Sequence, residues 1–200
     1  MTQEERSEET RGRILAAAAE SFARQGYDVT SVDAICRLAG VSKGAFYHHF
    51  PSKSSAFIAL LGAWLDQLDR RFHAVQAQGG SVPQQIASMA DDAGSIFQVA
   101  GSNWNILLEF WAKAKAEPEV AASMMATLRR YQAMFEALLA RGESEGSLQA
   151  GDATLGAALL LSVVLGTLLQ GLLDPQGRDW GGVLQRELAY VMTCMEGRTT

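Results

Sequence analysis

Side chains that suit contact with DNA are concentrated between residues 42 and 53 of this chain. Lys43 can donate to a guanine edge or a phosphate, and Tyr47 can donate to a phosphate while its ring meets a thymine methyl group. Gly44 has no side chain and lets the backbone come close to DNA. Lys53 follows near the predicted start of another helix, where free backbone N–H groups also favour a phosphate. These residue types predict a DNA-binding surface.

The segment that carries these residues has the pattern of a helix-turn-helix, at about residues 31–50. Thr30 is the expected N-cap of the first helix, with Asp33 placed to complete a capping box. Gly40 is expected to end that helix in a left-handed conformation, and Ser42 to cap the second. The apolar residues that would pack the two helices together are Val32, Ile35, Cys36, Ala39, Phe46 and Phe50. The second helix can then enter a major groove.

Sequence motifs at the start of the chain resemble those of the TetR family of transcriptional regulators. They are R-x-R-I-L-A-A-A (Arg11 to Ala18), F-A-R-Q-G-Y (Phe22 to Tyr27) and A-G-V-S-K-G-A-F-Y-H-H-F-P-S-K (Ala39 to Lys53). The resemblance covers roughly residues 10 to 65. It implies an all-α protein, in which an N-terminal three-helix DNA-binding head is joined to a helical body that binds a ligand and forms a dimer. We place the head at residues 1–53 and the body at 54–200.

The resemblance also implies which residues meet the DNA. Thr30 and Ser31 would approach phosphates from the start of the second helix, and Lys53 would grip the DNA backbone. The recognition helix would present Ser42, Lys43, Gly44, Ala45, Tyr47, His48 and His49. Cys36 and Ala45 depart from the family pattern, because alanine is usual at the first position and a longer side chain is common at the second.

The charge distribution agrees with a DNA-binding head. The net charge is −5, which is unusual for a DNA-binding protein. However, no acidic residue occurs between Ala34 and Leu65, whereas Arg37, Lys43 and Lys53 fall inside that stretch. The local positive region matters for phosphate binding more than the sum over the chain.

Other functional classes find little support. No Ser-His-Asp order, phosphate-binding loop or carboxylate pair stands out, so we expect neither an enzyme nor a cofactor. His48 and His49 are adjacent on a helix and point about 100° apart, so they cannot hold one metal ion together. The cysteines, Cys36 and Cys194, lack metal-ligand spacing and suit a reducing compartment. No signal-peptide pattern opens the chain, so we expect a cytoplasmic protein.

The body is predicted to contain only helices. The expected ranges are 56–76, 82–100, 103–115, 117–141, 153–173 and 182–195, with a loop at 142–147. Residues 153–173 carry no charge and are long enough to span a bilayer. Because Asp152 and Asp174 flank the segment and small or polar residues interrupt it, we expect a buried helix instead. By resemblance, the last two helices form a homodimer, with the stripe Val183, Leu184, Leu188, Val191, Met192 and Met195 as partner surface.

A small-molecule effector would bind in this body. The candidate contact residues are aromatic residues and methionines, with Glu109 as a polar or cation-binding group: Trp64, Phe97, Trp104, Phe110, Trp111, Met124, Met125 and Tyr131. Aromatic residues and methionines at helical spacing are more often part of the core, and Glu109 could equally be exposed and solvated. Trp rings could cage a cation, but nothing in the sequence selects that chemistry.

We therefore predict a homodimeric regulator that binds double-stranded operator DNA. That it represses transcription is implied by the resemblance alone. Repression would end when the effector shifts the long helix that begins near Ala56, because the two heads would then lose the spacing that matches the operator. The alternative is a small-molecule-binding or adaptor protein of the same fold that does not bind specific DNA. Lys43, Tyr47, His49 and Lys53 argue against that alternative.

Overall fold

The computed structural model describes residues 2–100, 104–149, 151–174 and 176–196, and within them all side chains except those of 92–100, 104, 105 and 107. In these ranges the secondary structure consists of nine α-helices and no strand, which confirms the all-α prediction. The helices are α1 (Gln3–Gln25), α2 (Val32–Ala39), α3 (Lys43–His49), α4 (Lys53–Ala77), α5 (Val82–Ala100), α6 (Trp104–Ala114), α7 (Pro118–Ser144), α8 (Ala153–Leu173) and α9 (Trp180–Met195).

Helices α2 and α3 form the predicted helix-turn-helix. Gly40 ends α2 in the left-handed conformation, with φ 64° and ψ 40°. Its N–H donates to the Arg37 carbonyl, and the Val41 N–H donates to the Cys36 carbonyl at 3.0 Å. Together these bonds form a Schellman motif, which satisfies carbonyl groups at the end of α2. The chain can therefore turn at once into α3.

The N-cap of α2 differs from the prediction. Ser31, not Thr30, caps the helix, because its hydroxyl accepts a hydrogen bond from the Ala34 N–H at 3.1 Å. Thr30 is buried, and its hydroxyl faces the carbonyl oxygens of Gly26 and Ser21. The predicted capping box with Asp33 was therefore wrong. Both residue types can cap a helix, and burial of the first leaves the second at the helix start.

The helix-turn-helix belongs to a compact unit formed by Met1–Gln67 and Ser102–Met124, which we call unit 1. Its core is aromatic. Phe22 and Phe57 meet edge to face with ring centroids 5.2 Å apart, and Phe57 stacks on Phe110 at 3.8 Å. All three rings are fully buried. Helix α6 is thus part of the same core as α1 and the start of α4.

Unit 2 comprises Leu68–Gly101 and Met125–Thr200. Within it, α9 packs against both α5 and α8. Buried aliphatic residues form its core: Val82, Ile86, Leu139, Leu160, Leu184 and Leu188. The predicted functional boundary at residues 53 and 54 stays a prediction, because compactness does not say which residues bind DNA.

Most helix bounds of the body lie close to the predicted ranges, but α7 runs through Ser144 into the predicted loop. Gly142 is the first residue of that predicted loop. It is instead helical, and a Cβ atom at this position would lie 2.6 Å from Leu148 Cδ1 and 3.1 Å from Val82 Cβ. The missing side chain therefore permits close packing and does not end α7.

Helix α8 matches its predicted range and is capped by Asp152, which accepts from the N–H groups of Thr154 and Leu155. Among the described residues it is the one helix whose length and composition would suit a membrane span. Its apolar surface is only partly covered. Four leucines and two small residues lie within about 80° around the helix axis and form what we call the α8 face: Leu155, Leu159, Ser162, Gly166, Leu169 and Leu173.

The partner surface predicted on α9 is mostly occupied within unit 2. Leu184, Leu188, Met192 and Met195 are all buried, and α9 packs on α5 and α8. The prediction that this stripe forms the free surface was therefore wrong. The exposed leucines lie on the α8 face, and Tyr190 of α9 is 74% exposed.

Candidate nucleic-acid interface

Helix α3 is anchored by its ends. The Ser42 hydroxyl accepts from the Ala45 N–H at 3.1 Å, which confirms the predicted N-cap. Phe46 is fully buried, and its ring centroid lies 5.9 Å from that of Phe50, which is also buried. The two phenylalanine rings pack the inner side of α3 on the core of unit 1. They thereby fix the direction in which the outer side of α3 faces.

The outer side of α3 carries the side chains predicted to contact DNA. Lys43, Tyr47 and His48 are exposed, together with the backbone at Gly44. Tyr47 is 51% exposed, and its ring meets the buried Phe46 edge to face. Its hydroxyl end is thus available while its ring is supported. Ala45 and His49 are half-buried, which reduces their reach.

Lys43 is held by a neighbour across the turn. Its Nζ lies 2.6 Å from Asp33 Oδ1. The hydrogen bond to that carboxylate raises the pKa of Lys43, so the lysine stays charged. A DNA phosphate would therefore find a cation whose direction is already restricted, and it would compete with Asp33 for the ammonium group.

The two ends of α2 are also held in place. Ser31 is exposed, and its hydroxyl keeps an O–H donor while it caps the helix. At the other end, Arg13 Nη2 donates to the carbonyl oxygens of Ala39 at 2.5 Å and Gly40 at 3.0 Å. Our sequence reasoning missed this role. Arg13 lies in the first motif, but no local pattern links it to the end of α2.

Thr30 does not offer a side-chain donor to a phosphate in this structure. Its hydroxyl lies 2.7 Å from the Gly26 carbonyl oxygen and 3.2 Å from that of Ser21. Its backbone N–H also donates to Gly26. Thr30 therefore closes the loop between α1 and α2, and its predicted contact with phosphate is corrected.

Lys53 is likewise turned inward. Its Nζ donates to the carbonyl oxygens of Tyr27 at 2.7 Å, Thr30 at 2.9 Å and Asp28 at 3.3 Å. It also lies 4.2 Å from the centroid of the Tyr27 ring. Burial lowers the pKa of Lys53. This lysine therefore holds the α1–α2 loop, and its predicted contact with a phosphate stays a prediction.

The remaining reactive side chains form no centre of their own. Among the described residues, no three His, Cys, Asp or Glu side chains are grouped so as to hold a metal ion. Cys36 is buried between the helices, and burial raises the pKa of its thiol. Cys194 is exposed on α9.

Comparison with known families identifies this helical arrangement. The family model of bacterial regulatory proteins of the tetR type matches residues 14–60. That of the C-terminal region of BetI-type transcriptional repressors matches residues 84–193, which is more than half of the chain. The chain belongs to the TetR family. The predictions of a transcriptional regulator and of a protein that is not an enzyme are thereby confirmed. The second match also includes α8, so this apolar helix is an element of the TetR-type body.

Individual TetR-family relatives are distant. The transcriptional regulator CymR of Pseudomonas putida is 30% identical over 135 residues, which are 68% of this chain and 66% of that protein. The chain thus spans just under two thirds of this curated relative's length. FadR of Bacillus subtilis, solved with stearoyl-CoA, is 20% identical and has a TM-score of 0.79, with 91% and 97% of the two chains covered. A Saccharomonospora viridis regulator, solved with choline, is 20% identical with a TM-score of 0.78, covering 93% and 96%. These structures support the fold.

Most of the predicted effector contacts of unit 1 serve other roles. Phe110 is fully buried against Phe57, and Trp64 and Met124 pack at the edge of the same core. Glu109 Oε2 accepts a hydrogen bond from the Tyr27 N–H at 2.7 Å. One oxygen of this half-buried carboxylate is therefore bonded to the backbone of unit 1. A role of Glu109 in effector binding stays a prediction. Trp111 is 42% exposed.

The remaining candidates fall in unit 2 or outside the described residues. The Tyr131 hydroxyl donates to Asp69 at 2.7 Å, and its ring packs edge to face on Phe72. Met125 is exposed. The side chains of Phe97 and Trp104 lie outside the described residues, so their predicted role stays a prediction.

A cleft of about 420 Å³ opens in unit 2 between α5 and α9. Ile86, Ala90, Leu188 and Met192 give it apolar walls, and Arg186 contributes a positive charge. None of the predicted effector contacts lines it. The cleft was not predicted from the sequence, because its two walls are far apart in the chain and contain none of the aromatic residues by which we selected candidate contacts.

Proposed function

We propose that this TetR-family protein binds operator DNA as a homodimer and represses transcription until a small molecule binds its body. The observation that carries the proposal is the outer side of α3, where Lys43, Tyr47 and His48 project from a helix whose other side is buried. A helix held in this way can enter a major groove without rearranging the core. The match to a BetI-type repressor region supports repression over activation.

The proposed DNA contacts are the predicted ones without Thr30 and Lys53. Ser31 would donate to a phosphate from the start of α2, where the N–H groups and the helix dipole favour an anion. On α3 the contacts would come from Ser42, Lys43, Gly44, Ala45, Tyr47, His48 and His49. Lys43 and Tyr47 have the reach and donors for base edges or phosphates, whereas Ala45 offers only a methyl group.

The homodimer would form through the last two helices, with the α8 face at its centre. Its exposed leucines would be covered by the same face of a second subunit. Ser162 and Gly166 lie between them, and a Cβ atom at Gly166 would meet nothing within 4 Å. Small residues at that place allow two helices to approach closely. Leu159→Glu should yield monomers in sedimentation velocity, whereas the matched Thr154→Glu substitution should leave the dimer intact.

The effector would act on the body, which we keep at residues 54–200, while residues 1–53 form the head. The two related folds described above bind choline and stearoyl-CoA, which differ in charge and size. The fold therefore supports a small-molecule effector without selecting its chemistry. Release requires that the effector bind the DNA-free form better than the DNA-bound form. We also propose that the protein acts in the cytoplasm, where its DNA partner lies.

A titration of labelled DNA tests this function. The probe is a duplex that covers the region directly upstream of the protein's own gene, and a scrambled duplex of equal length is the control. The wild type should prefer the upstream duplex, and Tyr47→Ala should lose most of that preference. Affinity should fall clearly between 50 and 200 mM salt, because each phosphate that a lysine or arginine neutralises releases counterions from the DNA.

The competing function is that of a ligand-binding or adaptor protein without specific DNA binding. It would be favoured if wild type and Tyr47→Ala bound both duplexes equally weakly at moderate salt. A nearly flat salt response would exclude the proposed phosphate contacts.

A further inference from the structure

The loop between α1 and α2, residues 26–30, is held by charged side chains from α6. The Tyr27 N–H donates to Glu109 Oε2 at 2.7 Å. One helical turn further along α6, Lys113 forms an ion pair with Asp28. Residues four apart on a helix project from the same side, so α6 directs both groups at the loop together.

The backbone at Gly26 is shaped for this contact. Its φ is +82°, a conformation that residues with a side chain rarely adopt. A Cβ atom at this position would also lie 2.8 Å from Glu109 Oε1. The glycine therefore serves twice: it permits the turn and it leaves room for the carboxylate over the loop.

A third charged group continues the same row. Glu117 lies four residues beyond Lys113, and its N–H donates to the Lys113 carbonyl at 2.7 Å. Its Oε2 accepts from the hydroxyl groups of Ser54 at 3.0 Å and Tyr27 at 3.4 Å. The Lys113 ammonium also lies 5.3 Å from the centroid of the Tyr27 ring. Tyr27 is therefore held at its backbone, its ring and its hydroxyl.

The loop leads directly into the DNA-facing start of α2. Thr30 is its last residue, and Ser31 caps the helix. A shift of the loop would move the Ser31 hydroxyl and the first N–H groups of α2, the groups that would meet a phosphate. Glu109 and Lys113 touch no proposed DNA contact themselves, so any effect on DNA binding must pass through the loop.

We propose that Glu109 and Lys113 are positioning residues for DNA binding, which hold the 26–30 loop and thereby the start of α2 in the pose that meets a phosphate. This proposal rests on the proposed function, because it needs a specific DNA complex. It places α6, a helix within the C-terminal family match, in direct contact with the segment that aims α2.

The test compares substitutions that break the contact with ones that keep it. Glu109→Leu removes the acceptor for the Tyr27 N–H, whereas Glu109→Gln keeps an amide oxygen at the same place. Lys113→Met removes the ion pair, and Lys115→Met removes a nearby exposed lysine of equal charge. Each variant is titrated with the upstream duplex at fixed salt, and amide hydrogen exchange is measured over residues 26–34.

Glu109→Leu should weaken binding about tenfold, because it removes a hydrogen bond to a charged group. Lys113→Met should have a smaller effect, because Asp28 is largely exposed to solvent. Glu109→Gln and Lys115→Met should stay within about threefold of wild type, in line with near-neutral surface changes. Exchange over residues 26–34 should become faster only in the first two variants. A purely structural role would lower thermal stability in Glu109→Leu and Lys113→Met and leave their affinity for the upstream duplex at the wild-type value.

A double substitution adds a second readout. Because Asp28 and Lys113 form one ion pair, Asp28→Asn with Lys113→Met should weaken binding no more than Lys113→Met alone. The positioning role is wrong if wild type prefers the upstream duplex while Glu109→Leu and Lys113→Met bind it as tightly as Lys115→Met. If wild type itself shows no preference, the proposed function fails, and the positioning role fails with it.

Discussion

Two regions of unit 1 use lysine and tyrosine in opposite ways. On the outer side of α3, Tyr47 is 51% exposed and Lys43 points outward to Asp33. At the α1–α2 loop, Tyr27 is 4% exposed and Lys53 donates to three carbonyl groups. The pKa of Lys43 is raised by its carboxylate partner, whereas the pKa of Lys53 is lowered by burial. The same residue types are thus exposed in one region, where we propose that they contact DNA, and hold the loop in the other.

The difference comes from what surrounds each side chain. Tyr27 sits against Phe22 and Phe57, with ring centroids 5.4 Å and 4.5 Å away, and burial raises its pKa to about 12. Tyr47 is half exposed and meets Phe46 edge to face. Substitutions in matched pairs should therefore separate stability from DNA binding.

The largest effect is expected in the free energy of unfolding, where Tyr27→Ala and Tyr47→Ala should differ most. Loss of the buried ring at position 27 should lower the free energy of unfolding by about 3–5 kcal/mol, because it leaves a cavity in an aromatic core. Loss of the exposed ring at position 47 should change it by less than about 0.5 kcal/mol. Urea denaturation followed by circular dichroism measures both.

The outcome for DNA should be reversed. Tyr47→Ala should lose the preference for the upstream duplex while remaining as stable as wild type. Equal loss of stability in the two variants would remove the distinction between the regions.

The second effect concerns the lysines. Lys53→Met keeps the length of the side chain but removes its donors, and it should cost about 2 kcal/mol of unfolding free energy, since the bonds to a charged group are lost. Lys43→Met should lower the urea midpoint only slightly, because its ion pair with Asp33 is exposed to solvent. It should instead reduce the slope of log affinity against log salt by about 1 for each lost phosphate contact.

Lys53→Arg separates the effect of charge from that of geometry. It keeps the positive charge, but its planar guanidinium group cannot repeat the same three hydrogen bonds. If Lys53→Met retained full stability and lost salt dependence, the original assignment of Lys53 to phosphate would be restored.

These pairs also show what could be predicted from the sequence. Gly40 and Ser42 were predicted correctly because capping and turn formation depend on neighbours within a few residues. The range of α8 followed from an uncharged run between two aspartates. Each of these patterns lies within a few residues or a single helix, so tertiary packing does not change the structure that it predicts.

The bonds that Lys53 and Glu109 make were not predicted, for the opposite reason. Glu109 bonds to a residue 82 positions away, and Lys53 to carbonyl groups 23 to 26 positions away. Carbonyl groups occur at every residue, so no sequence pattern marks the ones that a lysine will meet. The apolar stripe of α9 was likewise visible as a stripe, but periodicity does not say whether α5 and α8 or a second subunit covers it.

A smaller effect is expected at the start of α2. Thr30→Val should lower the free energy of unfolding by about 1–2 kcal/mol, because buried carbonyl groups lose a donor. Ser31→Ala removes an exposed cap and should cost about 1 kcal/mol or less. For DNA the order should invert, since only Ser31 offers a donor to a phosphate. Urea denaturation and duplex titration of both variants would show what decides whether a residue at the start of α2 stabilises the fold or contacts DNA: its burial or its position in the helix-turn-helix.

The smallest and most specific effect should appear at alkaline pH, where the lysines titrate with opposite signs. The folded-state pKa of Lys43 is raised, so its contribution to stability is complete below the ordinary lysine pKa of about 10.4 and is lost as pH rises through the raised value. The folded-state pKa of Lys53 is lowered, so burial penalises its charged form. That penalty fades as pH rises from the lowered value towards the ordinary one.

Urea denaturation of wild type, Lys43→Met and Lys53→Met between about pH 8 and 11 tests this sign difference, in the range where lysines titrate. The stability of wild type relative to Lys43→Met should fall with pH, and that relative to Lys53→Met should rise. Titration of groups distant from both lysines affects all three proteins alike and cancels in the differences. Slopes of the same sign would mean that the two ammonium groups share one kind of environment, and the contrast between an outward and an inward lysine would be lost.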